Sequence, residues 1–365
     1  MLLRAATTLG KLRASKMPEP ADAFIIAVPT PFNADKSADT SYVQAAAAAI
    51  APVLASGNTV ILESTSPVGT TYAMTKQLAE LRPDLRFPLT RDAVNVDVHI
   101  AHCPERVLPG RMVRELIEND RIVGGMTERC ALHAEEVYKV FLQGKSFRTD
   151  AGTAEMVKLV ENAFRDVNIA FANELSLICA DQGLNVWRVI ELANRHPRVN
   201  ILSPGAGVGG HCIAVDPWFI VGFAKERARL IRTAREVNDG KPHFVVEQVL
   251  ERAERFKNPV VACLGLAFKP DVDDCRESPA IEVVEALAER DELGVIYVAD
   301  PNINDLPKPL NGKEKFHFCD MMEAVRKADI IVFLQSHSAF KRISREDLMR
   351  RVVIDPTGLT ERSEA

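Results

Sequence analysis

The chain has 365 residues, enough for two or three domains that each bury a core. Hydrophobic residues make up 47% and charged residues 26%, the balance of an ordinary globular protein, and the formal net charge of -5 provides no cationic footprint for nucleic acid. No apolar run reaches the ~18 residues of a membrane span. Seven widely spaced cysteines without a C-x-x-C pair argue against a disulfide framework or a zinc site, and fit a reducing, cytoplasmic compartment.

Arg4, Lys11, Arg13 and Lys16 sit among Ser, Thr and Ala with no acid before Glu19, which superficially suggests a transit peptide. The run flows straight into a strand, so it reads instead as the tail of a helix and a short strand leading into the core. Residues 22–28 (DAFIIAV) are a short branched run ending in Pro29-Thr30-Pro31, as in a buried parallel strand feeding a loop. A helical pattern over 41–55 precedes a second buried run, 59–63, which ends at Ser64-Thr65-Ser66-Pro67-Val68-Gly69. A helix over about 71–82, a strand near 97–102 and the loop Cys103-Pro104-Glu105-Arg106 continue the alternation. Such units imply a parallel sheet with helices on both faces and ligands at the loops that follow its strands.

A dinucleotide-binding domain ordinarily opens with a strand, a glycine-rich turn and a helix, then a strand ending in a ribose-binding acid. No G-x-G-x-x-G follows a strand near this N-terminus, and the first strand resembles a later strand of such a sheet. The reading is a first domain that lacks about 50 residues, since one βαβ unit takes roughly 30 or more. Such a chain is expected to bind a dinucleotide weakly.

The most helical stretch is 153–182, with Thr153 as N-cap and Gly183 as the stop. A helix over about 185–195, a Pro- and Gly-rich loop over 197–212 and a helical region over about 217–256 follow. A fresh α/β pattern opens at Asn258-Pro259: strands at 260–266, 295–298, 330–334 and 352–354, with helices at 279–290 and 320–327. The expected architecture is α/β, with two doubly wound Rossmann-like domains (1–150, the first incomplete, and 257–365) joined by a central helical region (151–256).

Gly207-Val208-Gly209-Gly210-His211-Cys212 carries the sharpest chemical signal. Glycines let backbone approach a ligand, and a thiol ending such a loop before a helix is either an activated nucleophile or one more buried small hydrophobe. Asp216-Pro217 reads as an N-cap and first helical residue. Lys158, Asn162 and Arg165 fall at i, i+4 and i+7 on one helix; they form either an oxyanion-holding stripe or a solvated face. Glu105 ends a parallel strand, as catalytic carboxylates often do, or else pairs with Arg106. Ser64 and Thr65 are loop caps or cofactor ligands. Lys269 follows the first strand of the last domain, Arg276-Glu277-Ser278 leads into a helix N-terminus, and His196, Arg198 and His211 suit phosphate or carboxylate.

In chain order, these stretches resemble the UDP-glucose/GDP-mannose dehydrogenase family: Val28-Pro29-Thr30-Pro31, Ser64-Thr65, Pro104-Glu105, Lys158 with Asn162, Gly209-Gly210 before Cys212 and Asp216, and Gly265-x-Ala267-Phe268-Lys269 through Arg276-Glu277-Ser278. Within that family, Cys103–Gly110, Ala193–Ile201 and Gly207–Phe219 resemble the members that oxidise UDP-N-acetyl-mannosamine. The resemblance implies two NAD-dependent oxidations of a UDP-sugar primary alcohol to an acid, through a thioester on Cys212. It implies that Glu105 assists hydrolysis, that Lys158 and Asn162 hold oxyanions, and that Asp216 works with an ordered water. Thr30, Thr65 and Arg276 match cofactor contacts. Arg106, Val107, Arg165, His196, Arg198, Gly209, Phe268 and Lys269 match substrate contacts, with Arg198 reaching a neighbouring subunit of a homodimer. Thr357 is a departure, standing where relatives often carry a basic residue. Rival expectations are a non-catalytic remnant that only dimerises or holds the UDP-sugar, a β-hydroxyacid-type dehydrogenase with no need of Cys212, and a relative acting on UDP-glucose or GDP-mannose.

Overall fold

The computed structural model describes residues 2–33, 35–107, 112–313 and 315–361, so Leu108–Gly110 of the Cys103–Gly110 stretch lie outside the described residues. The chain divides into two compact units, Met1–Glu161 and Asn162–Ala365.

In the first unit, helix α1 (Leu2–Thr8) leads through an exposed stretch to strand β1 (Ala23–Ile26). Then come α2 (Ser41–Ile50), β2 (Thr59–Leu62), α3 (Thr70–Leu81), β3 (His99–His102), α4 (Met112–Glu118), β4 (Arg121–Gly125), α5 (Glu128–Lys139) and β5 (Ser146–Asp150). Among the described residues of the first seventeen no strand forms where a short one is expected; residues 9–17 are exposed and bury no face against a sheet. The strands lie in chain order, β1-β2-β3-β4-β5, parallel except for the antiparallel β3–β4 pair. Every residue of β2 is buried, because helices cover both faces. Val60, Leu62 and Ile100 pack with Val43, Met74 and Leu78 on one face, while Ile61, Ala101 and Val123 pack with Ala131, Ala134 and Tyr138 on the other. Each fully buried Leu or Ile contributes roughly 1.5–3 kcal/mol.

Beneath the loops, Glu63 Oε1 accepts from Tyr138 Oη at 2.5 Å and from Arg121 Nη1 at 3.0 Å, and the Arg121 guanidinium lies 4.0 Å from the Tyr138 ring centroid. Glu63 follows β2 and Arg121 opens β4, so this pairing ties the ends of two strands together.

Two histidines of β3 make the fold acid-sensitive. His102 is fully buried, its ring nitrogens make no hydrogen bond, and burial holds its pKa down from 6.5 to about 3. Burial, aided by the stacked His133 ring 3.6 Å away, lowers His99 to about 4. The unfolded chain takes up both protons near pH 6.5, whereas the folded chain resists until much lower pH. Stability is therefore full above about 6.5 and falls as pH drops through that window, by up to about 1.4 kcal/mol per pH unit for each histidine. We expect the thermal midpoint to drop steadily from pH 7 to 5, and a His102→Phe variant to show a shallower slope. An equal slope in the variant would count against this origin.

In the chain order of the remainder, α6 (Ala151–Asp181) is followed by α7 (Val186–Ala193), α8 (Asp216–Ala224) and α9 (Arg229–Ala253). The last stretch holds β6 (Val261–Leu264), α10 (Pro279–Ala288), β7 (Ile296–Ala299), β8 (Phe316–Phe318), α11 (Met321–Lys327), β9 (Ile330–Phe333), α12 (Arg345–Met349) and β10 (Val352–Ile354). Helix α6 begins before Thr153, because Asp150 accepts from the Thr153 amide (3.0 Å) and hydroxyl (2.8 Å) and so takes over the cap. The helical region at 217–256 is two helices, broken where Lys225 adopts a left-handed φ of 36°. The second sheet is wholly parallel, ordered β10-β9-β6-β7-β8. Its strand order reverses between β9 and β6, and in open α/β sheets the crevice at such a reversal is where ligands bind. No described helix is long and apolar enough to cross a membrane.

Candidate active site

Cys212 stands exposed in a turn that closes through its own carbonyl, which accepts from the Asp216 amide at 2.9 Å and the Val215 amide at 3.2 Å. Exposure sets it apart from Cys103, Cys130, Cys179 and Cys263, which are buried as small hydrophobes. Burial pushes the Cys103 and Cys263 thiols up to about 12, where they are inert. The Arg276 charge lies near enough to the Cys212 sulfur for the two to interact.

The preceding glycines exist because the loop is clasped. A Cβ on Gly209 would sit 2.3 Å from the Glu277 carbonyl oxygen and 2.7 Å from Pro279 Cδ; one on Gly210, at φ 83°, would meet the Phe268 ring at 2.8 Å. Three motifs far apart in sequence, the glycine loop, Ala267-Phe268-Lys269 and Arg276-Glu277-Ser278, thus meet at one place. Gly209→Ala must shift backbone rather than a flexible side chain. It is expected to lower kcat/KM at least about a hundredfold, as a displacement near 1 Å can. Gly222→Ala, on α8 with open space around it, should leave kcat/KM unchanged. Similar losses in both, or in neither, would contradict the clasp.

Asp216 is 3% exposed and its Oδ2 accepts from Asn162 Nδ2 at 2.5 Å. It is the first residue of α8 rather than its cap, which is Val215, because its side chain is committed to Asn162. Arg276 is held by both carboxylate oxygens of Asp274 (2.7–3.2 Å), and hydrogen bonding to Asp274 raises its pKa. Lys269 is exposed, and Phe268 is half-buried against Gly209 and Gly210.

In the first unit, the loops after β1 and β2 lock onto each other. Ser64 Oγ accepts from the Val28 amide at 2.8 Å and donates to the Val28 carbonyl at 2.7 Å, while Thr30 Oγ1 donates to the Thr65 carbonyl at 2.6 Å. Ser64 is thus a loop brace. Glu155 of α6, 1% exposed, accepts from the amides of Gly69 and Thr71, each at 2.7 Å, and from the Thr71 hydroxyl at 2.6 Å, so it caps α3. Burial nevertheless raises its pKa. Lys158 sits three residues further along α6 and is half-buried. The loops Val28–Pro31 and Ser64–Gly69 hold hydroxyls and apolar side chains but no acid, and the adjacent acids Glu63 and Glu155 are already paired inward. These two loops thus present no carboxylate of their own to a dinucleotide's phosphates, which fits NAD.

Glu105 and Arg106 do not pair with each other. Glu105 accepts from the Val107 amide, while Arg106 bonds to Glu161 at 2.6 Å. Arg165 on α6 and His196 and Arg198 are exposed, and the Asn194 side chain closes the loop that carries the latter two on Ile201 through bonds of 2.7 and 3.0 Å. Thr357 spends its hydroxyl on Asp355 at 2.8 Å. Sequence reasoning missed Glu155 and a buried Asp300–His337 pair, whose only signal was an acid or imidazole among apolar neighbours. Among the described residues no group of His, Cys, Asp or Glu is arranged to hold a metal.

Comparison with known proteins gives the same order of parts. Residues 1–142 match the NAD binding domain of the UDP-glucose/GDP-mannose dehydrogenase family, residues 152–240 its central domain and residues 262–362 its UDP binding domain. The chain is 58% identical over 359 residues to an NDP-N-acetyl-D-galactosaminuronic acid dehydrogenase of Ralstonia nicotianae, covering 98% of this chain and 84% of that protein. It is 55% identical over 369 residues to the UDP-N-acetyl-D-mannosamine dehydrogenase of Escherichia coli K12, covering 98% and 86%. A solved UDP-D-ManNAc dehydrogenase from Pyrococcus horikoshii superposes with a TM-score of 0.86 at 39% identity, covering 98% of this chain and 83% of that one. The chain belongs to the UDP-glucose/GDP-mannose dehydrogenase family and is an NAD-dependent dehydrogenase of a nucleotide sugar.

Proposed function

We propose that the chain oxidises the primary alcohol of UDP-N-acetyl-D-mannosamine to the carboxylate, with Cys212 as the covalent nucleophile. The observation that carries the reading is the exposed Cys212 turn, clasped by Phe268 and Glu277–Pro279 beside the Arg276 charge. When bound, NAD accepts a hydride in each of two oxidations, for which Thr30, Thr65 and Arg276 are the proposed holders. Between them, the Cys212 thiolate adds to the aldehyde carbon, forming a C–S bond and an oxyanion assigned to Lys158 and Asn162. Loss of the second hydride leaves a thioester. Water then attacks the thioester carbonyl with Glu105 taking its proton, the C–S bond breaks, and the carboxylate leaves. Asp216, buried against Asn162, orients that amide and works with an ordered water. Substrate contacts are assigned to Arg106, Val107, Arg165, His196, Arg198, Gly209, Phe268 and Lys269.

A second reading, an N-acetyl-galactosamine-type sugar, is favoured by the identity to the Ralstonia relative. Parallel assays of the purified enzyme with UDP-N-acetyl-mannosamine, UDP-N-acetyl-galactosamine and UDP-glucose separate them. We expect kcat/KM for the mannosamine sugar to be at least about tenfold higher, a discrimination near 1.4 kcal/mol. A preference for either of the others overturns the assignment.

The proposal includes a homodimer in a reducing, cytoplasmic compartment. Phe164, Phe171 and Ile178 of α6, at intervals of seven residues, are 67%, 53% and 51% exposed, an apolar stripe suited to a second copy of the same helix. Sedimentation showing a monomer at micromolar concentration would contradict it.

A further inference from the structure

We propose that His337 is a positioning residue that sets the nucleotide-diphosphate site by fixing three loops at the carboxyl end of the second sheet. This rests on the reading that Phe268 and Lys269 contact the substrate. His337 and the Asp300 carboxylate are both fully buried, and His337 Nε2 lies 3.1 Å from Asp300 Oδ2. The other ring nitrogen, Nδ1, faces two donors, the Asp271 amide at 2.9 Å and Asn302 Nδ2 at 2.8 Å. The Asp271 amide, far closer than that residue's carboxylate at 3.8 Å, makes Nδ1 the acceptor and leaves Nε2 to donate to Asp300.

The partners come from different strands. Asp300 and Asn302 follow β7, Asp271 lies in the loop after β6, and His337 lies in the loop after β9. Asp300 Oδ2 also accepts from the amides of Leu266 (2.7 Å) and Ala267 (3.1 Å), directly before Phe268 and Lys269. Asp271 Oδ1 accepts from the amide and hydroxyl of Ser338, both at 2.9 Å, doubling the tie between the loops after β6 and β9. These two loops flank the reversal of strand order between β9 and β6, and a Cβ on Gly265 there would strike Gln335 at 2.6 Å. The imidazole thus joins the two walls of the crevice to the Asp300 carboxylate that orders the Phe268–Lys269 backbone.

The test is a set of His337 variants titrated with UDP alone, then assayed. His337→Leu removes both bonds, whereas His337→Asn keeps an acceptor near the Nδ1 position. We expect His337→Leu to weaken UDP binding and raise KM for the UDP-sugar by about tenfold or more, with kcat and KM for NAD within about threefold. His337→Asn should recover most of the lost affinity. Unaltered UDP affinity in the leucine variant, or a loss shared equally by kcat and KM for NAD, overturns the proposal. If the leucine variant does not fold, nitrogen-15 spectra of the unsubstituted enzyme decide: a proton on Nε2 alone supports it, and one on Nδ1 refutes it. Failure of the unsubstituted enzyme to bind UDP would instead sink the substrate reading on which this rests.

Discussion

Replacing Cys212 by serine is expected to abolish steady-state acid formation, lowering kcat at least about a thousandfold, or roughly 4 kcal/mol of barrier. The serine hydroxyl would occupy the same exposed turn but is a far weaker nucleophile near neutral pH. Expulsion of an alkoxide during hydrolysis is also slower than that of a thiolate. The first oxidation does not use the sulfur, so KM for the UDP-sugar should move little. Assays that follow acid and NADH separately check this. Undiminished acid production by the serine variant would rule out a thioester route.

The largest stability effect is expected at Asp166, which is fully buried between α6 and α9. Its Oδ1 accepts from Arg235 Nη1 at 2.6 Å and Asn238 Nδ2 at 2.8 Å, while Arg235, 1% exposed, also pairs with Asp239. Asn238 Oδ1 accepts from Asn173 Nδ2 at 2.8 Å, and Asn173 Oδ1 from the Gly205 amide at 2.9 Å, so the network runs from the helix pair to the start of the glycine loop. Asp166→Ala removes the buried partner of Arg235 and leaves its charge only the half-exposed Asp239, with a cost of up to about 3–5 kcal/mol and a fall in thermal midpoint of roughly 10 °C. Replacing both partners, Asp166→Leu with Arg235→Met, should recover a substantial part of that loss, because no buried charge is then left unpaired. A double variant as unstable as Asp166→Ala would show that shape, not charge, sets the cost. Thermal melts of the three proteins decide.

The parts of the fold that read clearly from sequence are those buried on both faces. Val60–Leu62, Val261–Leu264 and Ile330–Phe333 are continuous apolar runs and nothing else suits them. Strand β4 escaped because Gly124 and Gly125 lower strand propensity; they are there so that Ala154 and Ala131 can approach the sheet, a tertiary need invisible along the chain. Strand β5, with Phe147 and Arg148 exposed at an edge, lacks a core face to reveal it. Its partner β4 runs antiparallel to β3, a break in the parallel pattern that no residue along the chain marks. At the site, the glycines before Cys212 were readable, yet their cause, the Phe268 ring and the Glu277 carbonyl, lies more than fifty residues away. Glu155, Asp300 and His337 are defined by what they face in space. Their letters are ordinary ones in sequence, and only burial with several converging donors distinguishes them.

The central claim is a covalent acyl intermediate on Cys212, and its most direct test is mass spectrometry of the enzyme quenched in acid during turnover. A Glu105→Gln variant, in which proton transfer from the attacking water is impaired, should accumulate the adduct. After mixing with NAD and UDP-N-acetyl-mannosamine, the Cys212 peptide is expected to gain the mass of the sugar-nucleotide acyl group, and hydroxylamine should remove it. Turnover with no adduct at any quench time, or an adduct confined to another residue, would contradict the account.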